Sequence, residues 1–575
     1  MAGGERGPTV ASTLLDILKR NGIRHIFGLP AAQMALVMDG ASRDGFFRYA
    51  TTRHEEAAGH MAHAVHLVSG ETAVCFGTTG PGATNLLPGV AAAWEDNIPM
   101  VVITPDNQLN RLEPFRDVLQ MADQIALYAS ITKWQATVRD PARLGEIVER
   151  AIHMARSGRP GPVQINLPCD VHSWPCPGPR ETRPVAPPPR PVPSGRDLER
   201  IVELLADARR PLLYAGGGVA RSGGVQAFRA LAGLTGMAAT TSAKGSGVVD
   251  THGEGFFGSC GWLGGDGVLK ACAEADLIIA VGTKFSTWTP IGKPPQHPVP
   301  EGQRIVQIDI DPAMLGKNCP VDLGLVGDAR ETLLALAEHL QDREWQYDTR
   351  WTASLRDAWR RQTAEANAMA DAETTPGTDL LNCAAVCREI MRKAPRDAIL
   401  CIDGGQVAHW ANFYARPLDP QHITFNGGMG HMGNGIPQAI GAQIAAPGKQ
   451  VIAITGDGAA GCTIQELETA RRMKLPLTIV IFNDSHWGCY RPMSDNVFHN
   501  EDLGTRLTDV DFVEVARGFG CGGERVTKIS ELAPALERAL AAKEPTVIDV
   551  IGDFTPCPTD RGWPWTHEGV TLVSQ

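Results

Sequence analysis

Residues 456–484 read GDGAAGCTIQELETARRMKLPLTIVIFND, and this stretch decides the fold of its part of the chain. The preceding VIAIT predicts a buried strand, which ends at Gly456 and Gly458 because glycines are too flexible to continue it. Apolar residues at helical spacing predict a helix over residues 463–473, and residues 477–482 predict a second buried strand. Strand, helix and strand in this order indicate a β-α-β unit with parallel strands and a right-handed crossover.

Two acidic residues stand where these predicted strands end. Asp457 follows the first strand, and Asp484 follows the second. Neighbouring parallel strands end at one edge of their sheet, where open α/β sheets bind ligands, so we expect the two carboxylates to lie together. Two carboxylates beside a glycine turn and the start of a helix suit a divalent metal ion that shares its ligand shell with phosphate oxygens.

The composition is that of an ordinary globular protein. The 575 residues are 43% hydrophobic and 20% charged, and this length suggests three or four domains. The net charge is −11 without a long Lys/Arg cluster, which argues against nucleic acid as a partner. The initial MAGGERGPTV lacks a signal-peptide core, and no run of roughly 18 apolar residues predicts a membrane span. We therefore expect a cytoplasmic protein without a membrane partner.

The 13 cysteines include no C-x-x-C pair. Cys383 and Cys387 lie four positions apart in LLNCAAVCREIM, where the pattern predicts small core residues of an amphipathic helix. Reduced and mostly buried thiols are therefore favoured over a metal site or disulfides.

A proline-rich linker, RPVAPPPRPVPSGR at residues 183–196, divides the chain. Before it, HIFGLP, TAVCFGTTG, PMVVITP and PVQINLP predict buried parallel strands that alternate with amphipathic helices. After it, PLLYAGGG, DLIIAVGTKF and RIVQIDIDP predict strands, with helices at residues 198–206 and 329–340. A polar segment around residues 344–375 leads to a third unit with AILCIDGG, the GDG stretch and PTVIDVIGDF. This alternation predicts an α/β fold of three consecutive doubly wound parallel-sheet domains.

Six stretches occur in the same order as the motifs of one enzyme superfamily: TTRHEEAAGHMA, TTGPGATN, SITKW, SGRPGPVQINLP, GGMGHMGNGIPQAIGA and the GDG stretch. Together they resemble the thiamine-diphosphate-dependent decarboxylases and carboligases, and most closely the acetolactate synthase-like catalytic subunits. The resemblance implies a pyrimidine-binding domain at residues 8–180 and a diphosphate-binding domain at residues 375–560. Between them it implies a central domain of degenerate nucleotide-binding type at residues 192–345.

The resemblance implies thiamine diphosphate and Mg²⁺ as cofactors. The metal ligands would be the carboxylates of Asp457 and Asp484 and the backbone carbonyl of His486. The family usually has Asn at the position of Asp484, but Asp is also a competent oxygen ligand. Whether the His486 side chain faces substrate or only packs is left open. The diphosphate would be held at the glycine turn and the helix start, formed by Gly456, Gly458 and Ala459.

The same resemblance assigns two catalytic positions at the cofactor. Glu55 matches the glutamate that hydrogen-bonds the ring nitrogen of the aminopyrimidine, whereas Glu56 is interpreted as a partner for a neighbouring base. Met432 matches the bulky residue that holds the cofactor bent, so that its amine reaches the reactive carbon and proton transfer gains from proximity. Gly430 would let the backbone approach the pyrimidine.

Three further positions are predicted to border the substrate. Gln120 matches the glutamine that acetolactate synthases place beside the thiazolium ring, and polar contact with substrate is favoured over an interdomain hydrogen bond. Gly80 permits a tight turn in the loop GTTGPGATN. Asn85 in the same loop is predicted either to bind substrate or to cap the next helix.

The chain departs from acetolactate synthases where those enzymes recognise the second substrate. Their Arg-Phe-Asp-Asp-Arg stretch, which also serves flavin placement, corresponds here to Lys-Phe-Ser-Thr-Trp at residues 284–288. Trp288 therefore takes the place of the recognition arginine, and Met493 takes the place of the specificity tryptophan. The acceptor is then expected to be different, larger and more apolar, or absent. GGG at residues 216–218 and the RIVQIDIDP strand still resemble a nucleotide-binding edge, so FAD is left open as a cofactor and is not favoured.

These observations predict a thiamine-diphosphate- and Mg²⁺-dependent enzyme. It would decarboxylate a 2-oxoacid and transfer the acyl carbanion to an acceptor carbonyl, as an acetolactate synthase-like carboligase does. The alternatives are a 2-oxoacid decarboxylase without ligation, similar to benzoylformate decarboxylase, and a catalytically silent regulatory homologue, against which the intact motif residues argue. A homodimer or homotetramer with active sites at the subunit interface is expected.

Overall fold

Three parallel β-sheets follow one another along the chain, each flanked by helices. The computed structural model describes residues 7–112, 117–176, 184–258, 264–286, 289–292, 298–491, 494, 498 and 503–562. All pairs between its strands are parallel. The predicted fold class, three consecutive parallel-sheet α/β units, is confirmed.

In the described residues the first unit has six strands: β1 (His25–Gly28), β2 (Arg48–Thr51), β3 (Ala73–Phe76), β4 (Met100–Asp106), β5 (Gln135–Thr137) and β6 (Pro162–Pro168). Their order in the sheet is β2-β1-β3-β4-β6-β5. The helices are α1 (Val10–Arg20), α2 (Ala35–Arg43), α3 (Glu55–Ser69), α4 (Pro81–Asn85), α5 (Leu87–Asp96), α6 (Gln124–Tyr128) and α7 (Leu144–Arg156). Helix α3 begins at Glu55 because the ring nitrogen of His54 accepts the free N–H of Glu56 at 3.3 Å.

The second unit, over the part that the structure describes, has the strands β7 (Pro211–Ala215), β8 (Ala238–Thr241), β9 (Leu277–Val281), β10 (Arg304–Asp309) and β11 (Leu323–Val326). Their order is β11-β10-β9-β7-β8. Its helices are α8 (Gly195–Asp207), α9 (Gly217–Arg221), α10 (Val225–Thr235), α11 (Asp266–Glu274) and α12 (Ala329–Leu340). Helix α8 begins inside the predicted linker because Ser194 caps it, while residues 184–194 form neither helix nor strand.

The polar segment after α12 contains a long helix, α13 (Thr349–Asp371). Asp348 caps its first turn, and Trp351, Leu355 and Trp359 are buried along one face. These side chains belong to a core cluster shared by the second and third units. An apolar stripe at helical spacing therefore makes this mostly polar sequence a packed helix.

The third unit, where described, has the strands β12 (Leu381–Asn382), β13 (Ile399–Ile402), β14 (Ile423–Phe425), β15 (Val451–Gly456), β16 (Leu477–Asn483), β17 (Gly522–Val526) and β18 (Thr546–Asp553). The order is β12-β18-β16-β15-β13-β14, and β17 also pairs with β18. The helices are α14 (Cys383–Lys393), α15 (Gln406–Tyr414), α16 (Gly435–Ala445), α17 (Asp457–Thr463), α18 (Glu466–Arg472), α19 (Phe512–Gly518) and α20 (Ile529–Ala541).

The helix predicted over residues 463–473 contains α18, but the prediction missed α17 before it. The structure has two shorter helices, α17 and α18, and the first of them begins at Asp457. Gly456 ends β15 and caps α17 with an extended backbone, so the chain turns from strand to helix within one residue. The apolar residues at helical spacing from Ile464 onward identified α18. They could not indicate α17, because its sequence is rich in glycine and alanine.

The first and third units share one apolar core. Met61 and Val65 on α3 pack with Ile436 and Ile440 on α16 in one buried cluster. Gly441 lies against the backbone of Met61, where a Cβ atom would collide, so the two helices approach closely. The two units that carry the predicted site residues are therefore held in a fixed relation within one chain.

The cysteine prediction is confirmed for the residues that the structure describes. Their thiols are all free, and Cys383 and Cys387 are buried on α14 with their sulfurs 3.9 Å apart. Among the described helices none has the length and apolarity needed to span a bilayer.

Candidate active site

The carboxyl edge of the third sheet brings Asp457 and Asp484 together. Gly456 pairs with Phe482 in the register of β15 and β16, so the residues that follow these strands are neighbours. Burial, and for Asp457 the charge of Asp484, raises the pKa of both carboxyls to about 7. Two buried like charges favour either protons or a bound cation between them. The oxygen donor set therefore fits a divalent metal ion such as Mg²⁺.

Gly458, in the turn beside these carboxylates, is closely packed. The N–H of Gly458 donates to Oδ1 of Asp457 at 2.9 Å, which fixes that carboxylate. The ring of Trp487 covers Gly458, where a Cβ would come within 2.8 Å of the indole. Ala459 follows on α17 and is buried. A side chain at position 458 is thus excluded by packing.

The imidazole ring of His486 is turned toward the main chain of Asp484. Its ring Nδ1 lies 2.6 Å from the main-chain oxygen of Asp484, and its N–H donates to Oδ1 of Asp484 at 3.1 Å. The two bonds close the turn after β16, in which Ser485 has a positive φ of 54°. In this conformation the imidazole orients the Asp484 loop.

Met432 lines the same small cavity as Asp457 and Asp484. Its loop is held by Asp403, a buried residue after β13 that the sequence analysis missed. One oxygen of Asp403 accepts the N–H of Gly433 at 3.0 Å, and the other accepts the N–H of Gly435 at 2.9 Å. Its position after AILCI, at the edge that carries Asp457, was the signal available in the sequence.

Gly430 stands at the exposed start of this loop. Its φ of 65° lies in the left-handed region, which a residue with a side chain adopts at a cost. The backbone between Gly430 and Met432 is therefore shaped by a glycine at one end and by the Asp403 hydrogen bonds at the other.

Glu55 lies in a separate polar group on the first unit. The carboxyl is 3% exposed, and its Oε2 accepts a 3.1 Å hydrogen bond from the Asn85 amide. Gly82 leaves room for this carboxyl, because a Cβ there would lie 2.8 Å from Oε1 of Glu55. Asn85 was predicted to bind substrate or to cap a helix, and in this chain it holds Glu55.

Gln120 and Gly80 adjoin each other near this group. The backbone of Gln120 has a positive φ of 62° and lies so close to Gly80 that a side chain at position 80 would collide with it. Gln33 donates to Oε1 of Gln120 at 3.2 Å, and its own amide oxygen accepts the hydroxyl of Thr78 at 2.9 Å. Gln33 thus ties the Gln120 segment to the GTTGPGATN loop.

Within one chain the structure does not bring Glu55 close to the carboxylates of Asp457 and Asp484. The small cavity with Met432, Asp457 and Asp484 is lined, among the described residues, by the third unit alone. Glu55 faces Asn85 and the glycines of the first unit instead. The two sets of predicted catalytic residues are therefore separate groups in the single chain.

Glu56 does meet bases, as the sequence suggested. Its Oε1 lies 3.8 Å from Nε2 of His60 and 3.6 Å from Nδ1 of His431, across the junction of the first and third units. Burial, with the charges of Asp403 and Glu466, raises the pKa of Glu56 to about 7. The group links α3 to the loop that carries Met432.

The second unit borders a cavity of about 690 Å³ beside GGG at residues 216–218. Both basic and acidic residues line it, among them Arg159, Arg221, Lys244, Lys284, Asp309 and Asp328. Lys284 forms a 2.8 Å ion pair with Glu95 of α5, which ties the second unit to the first. Trp288 and Met493, the predicted acceptor residues, lie outside the described residues.

Comparison with known proteins identifies each unit separately. Residues 8–127 match the model "Thiamine pyrophosphate enzyme, N-terminal TPP binding domain". Residues 198–336 match the central domain of the same enzymes, and residues 403–550 match their C-terminal TPP binding domain.

Whole proteins match over nearly the entire length. The chain is 35% identical to the acetolactate synthase large subunit of Parasynechococcus marenigrum, over 94% of this chain and 87% of that protein. It is 32% identical to the acetolactate synthase isozyme 2 large subunit of Escherichia coli, over 98% of each. It is 27% identical to the sulfoacetaldehyde acetyltransferase of Castellaniella defragrans, over 99% of this chain and 96% of that protein.

Proposed function

The chain belongs to the thiamine pyrophosphate enzymes, and we propose that it decarboxylates a 2-oxoacid and transfers the acyl group to an acceptor carbonyl. The observation that carries this proposal is the buried pair Asp457 and Asp484, which shares a small cavity with Met432. In this proposal residues 375–560 bind the diphosphate, residues 8–180 bind the pyrimidine, and residues 192–345 form the central domain.

The third unit would hold Mg²⁺ and the diphosphate. Asp457 and Asp484 supply two charged oxygens to the metal, and the main-chain oxygen of His486 supplies a third. Gly456, Gly458 and Ala459 form the turn against which the phosphates lie. Because the two carboxylates repel each other when no cation is present, binding of the metal removes an unfavourable interaction as well as forming new ones.

Thiamine diphosphate, when bound, would supply a nucleophilic carbon and an acceptor for the electrons released by decarboxylation. Glu55 exchanges a proton with the ring nitrogen of the pyrimidine, and Asn85 holds its carboxyl in place. Met432 would pack against the bound cofactor and help to hold its reacting atoms together, and Asp403 keeps the Met432 loop in position. Decarboxylation and ligation involve no net oxidation, so a flavin would have no redox role in the proposed reaction.

The active site would form between two subunits. Glu55 and Asp457 are both assigned to the cofactor, yet they occupy separate groups in one chain. A two-fold dimer would bring the two residues together by placing the first unit of one copy against the third unit of the other. This supports a homodimer or a pair of dimers with sites at the interface.

The acceptor is proposed to lack a carboxylate. Trp288 and Met493 replace, by sequence position, the residues with which acetolactate synthases recognise a second oxoacid. The acetyltransferase relative, whose name indicates a sulfonated aldehyde, is consistent with an acceptor other than a 2-oxoacid. The second candidate, decarboxylation without ligation, is favoured by the same two replacements.

A product screen tests the proposal. The protein is supplied with Mg²⁺, thiamine diphosphate and a series of 2-oxoacids, and CO₂ release is followed with and without neutral aldehydes. Release that depends on both cofactors, with ligated products when an aldehyde is present, is the expected result. Release with only the simple aldehyde as product would favour the second candidate, and no release from any 2-oxoacid would contradict both.

A further inference from the structure

Three polar side chains from distant parts of the third unit meet beside the small cavity. Nδ1 of His409, on α15, lies 2.5 Å from Oδ1 of Asp560, and its Nε2 lies 3.9 Å from the sulfur of Cys489. His409 and Asp560 are buried at 4% and 5% exposure, whereas Cys489 is half-buried. The order of carboxylate, imidazole and thiol is that of a nucleophile with a base and an orienting acid.

Asp560 is itself fixed on both sides. Its Oδ2 accepts the N–H of Cys557 at 2.8 Å, and its own N–H donates to the oxygen of Cys557 at 2.8 Å. Oδ1 therefore points at the imidazole of His409. A carboxylate only accepts hydrogen bonds, so Nδ1 of His409 carries a proton and Nε2 is the nitrogen that faces the sulfur.

The charge balance favours a proton on His409. Burial alone lowers the pKa of His409, but the carboxylate of Asp560, followed by the sulfur of Cys489, outweighs it and raises that pKa to about 9. The protonated ring lies 3.9 Å from the sulfur of Cys489. The same cation supplies a proton to an oxygen that becomes negative next to the sulfur.

Cys489 opens on the cavity that is proposed to hold the cofactor. It lines that cavity together with Met432, Asp457 and Asp484. An exposed cysteine on α17, Cys462, offers a comparison, because its sulfur contacts only the main-chain oxygen of Gly458 at 3.6 Å among the bonds described. Among the bonds described, Cys489 therefore has an imidazole partner and Cys462 does not.

We propose that Cys489, His409 and Asp560 form a nucleophilic thiol site that captures small aldehydes inside this cavity. The proton of the thiol passes to Nε2 of His409, the sulfur attacks the carbonyl carbon, and a C–S bond forms while the C=O π bond breaks. The oxygen takes the proton of Nε2 of His409, and the product is a thiohemiacetal. No oxidant or reductant is needed, and the step reverses when the proton returns to the imidazole.

The choice of aldehydes as ligands rests on the proposed function, because it assumes that carbonyl compounds enter this cavity. The thiol site itself is independent of that function. Capture would keep an aldehyde acceptor or product close to the reacting atoms and limit its escape into solvent.

Alkylation kinetics test the thiol site in the full-length protein. Iodoacetamide is added at pH 7, and the labelling of Cys489 and Cys462 is followed in the same samples by peptide mass spectrometry. Cys489 is expected to react at least about tenfold faster than Cys462, and His409→Gln is expected to remove that difference. Asp560→Asn should act in the same direction, and its thermal unfolding is compared with that of the parent protein to verify folding.

Aldehyde protection tests the ligand. Benzaldehyde or acetaldehyde is expected to slow the labelling of Cys489 severalfold and to leave Cys462 unchanged. Equal reactivity of the two thiols, an undiminished rate in both variants, or no protection by any aldehyde would overturn the proposal. Binding of thiamine diphosphate is measured separately by calorimetry, so failure of the thiol site and failure of the proposed function are distinguished.

Discussion

Asn85 donates a 3.1 Å hydrogen bond from its amide to Oε2 of Glu55, which joins the end of α4 to the start of α3. We predict that Asn85→Ala slows proton exchange at the reactive carbon of bound thiamine diphosphate about ten- to a hundredfold, since a catalytic group displaced by 1 Å costs up to about a hundredfold in rate. NMR of the protein in deuterated water measures this rate. Thr84→Ala, which removes an exposed hydroxyl that bonds Pro81, is the matched control, and equal rates in the two variants would contradict the prediction.

Glu55→Gln should bind thiamine diphosphate and lose catalysis. General acid–base assistance contributes about 10²–10⁴-fold, so the exchange rate and CO₂ release should both fall by that amount. The change Glu146→Gln serves as the control, because Glu146 is an exposed residue of α7 that pairs with Arg143, away from the Glu55 group. If the two rates fall by less than about tenfold, a residue other than Glu55 acts as the acid.

Substitutions of Asp457 and Asp484 should have opposite effects on the binding of thiamine diphosphate. Asp457→Ala should abolish the Mg²⁺-dependent binding of thiamine diphosphate, because it removes a charged ligand. Asp484→Asn should retain binding, because the amide oxygen of Asn can still coordinate the metal ion. The change also removes the charge repulsion between residues 457 and 484. Isothermal titration in Mg²⁺ and in EDTA measures both. Loss of binding in Asp484→Asn equal to that in Asp457→Ala would show that both charges are required.

Mixed oligomers test where the active site forms. Glu55→Gln and Asp457→Ala chains should each be inactive alone, and a dimer of one with the other has one intact site if Glu55 and Asp457 meet across the interface. After denaturation and joint refolding at equal amounts, activity should recover to roughly a quarter of the wild-type value, since half of the dimers are mixed. Sedimentation checks that dimers form. A mixture without activity, with normal dimers, would place both residues in one subunit.

Acetolactate formation from pyruvate should be poor. Arginine binds a carboxylate through two hydrogen bonds, and tryptophan at position 288 offers one N–H. The loss should disfavour a carboxylate-bearing acceptor by roughly 1.5–3 kcal/mol, about ten- to a hundredfold. Acetolactate, CO₂ and ligation to neutral aldehydes are compared in one preparation. If pyruvate proves a better acceptor than every neutral aldehyde, another residue must supply the missing charge.

Local patterns explain how much of the fold followed from the sequence. The apolar runs before Gly456 and Asp484 are buried strands of one sheet, and α12 has the predicted bounds. Helix α17, directly after Gly456, was missed, because residues 457–463 contain few apolar side chains to mark a face. A periodic signal identifies elements that bury one face, and it is weak where glycine and alanine pack closely.

Spacing alone determined that Asp457 and Asp484 are neighbours, because they follow adjacent parallel strands. Other contacts were decided only by the tertiary structure, as when Asp403 bonds a loop 30 residues away and His409 meets Cys489 over 80 residues and Asp560 over 151. Such contacts depend on the paths of several loops and on the packing of whole sheets, neither of which leaves a periodic trace. The sequence thus determined the sheets, the edge at which the site lies and the cofactor family. Only the folded chain placed Glu55 and Asp457 in separate groups, because the separation of these two residues depends on how the first and third units pack together.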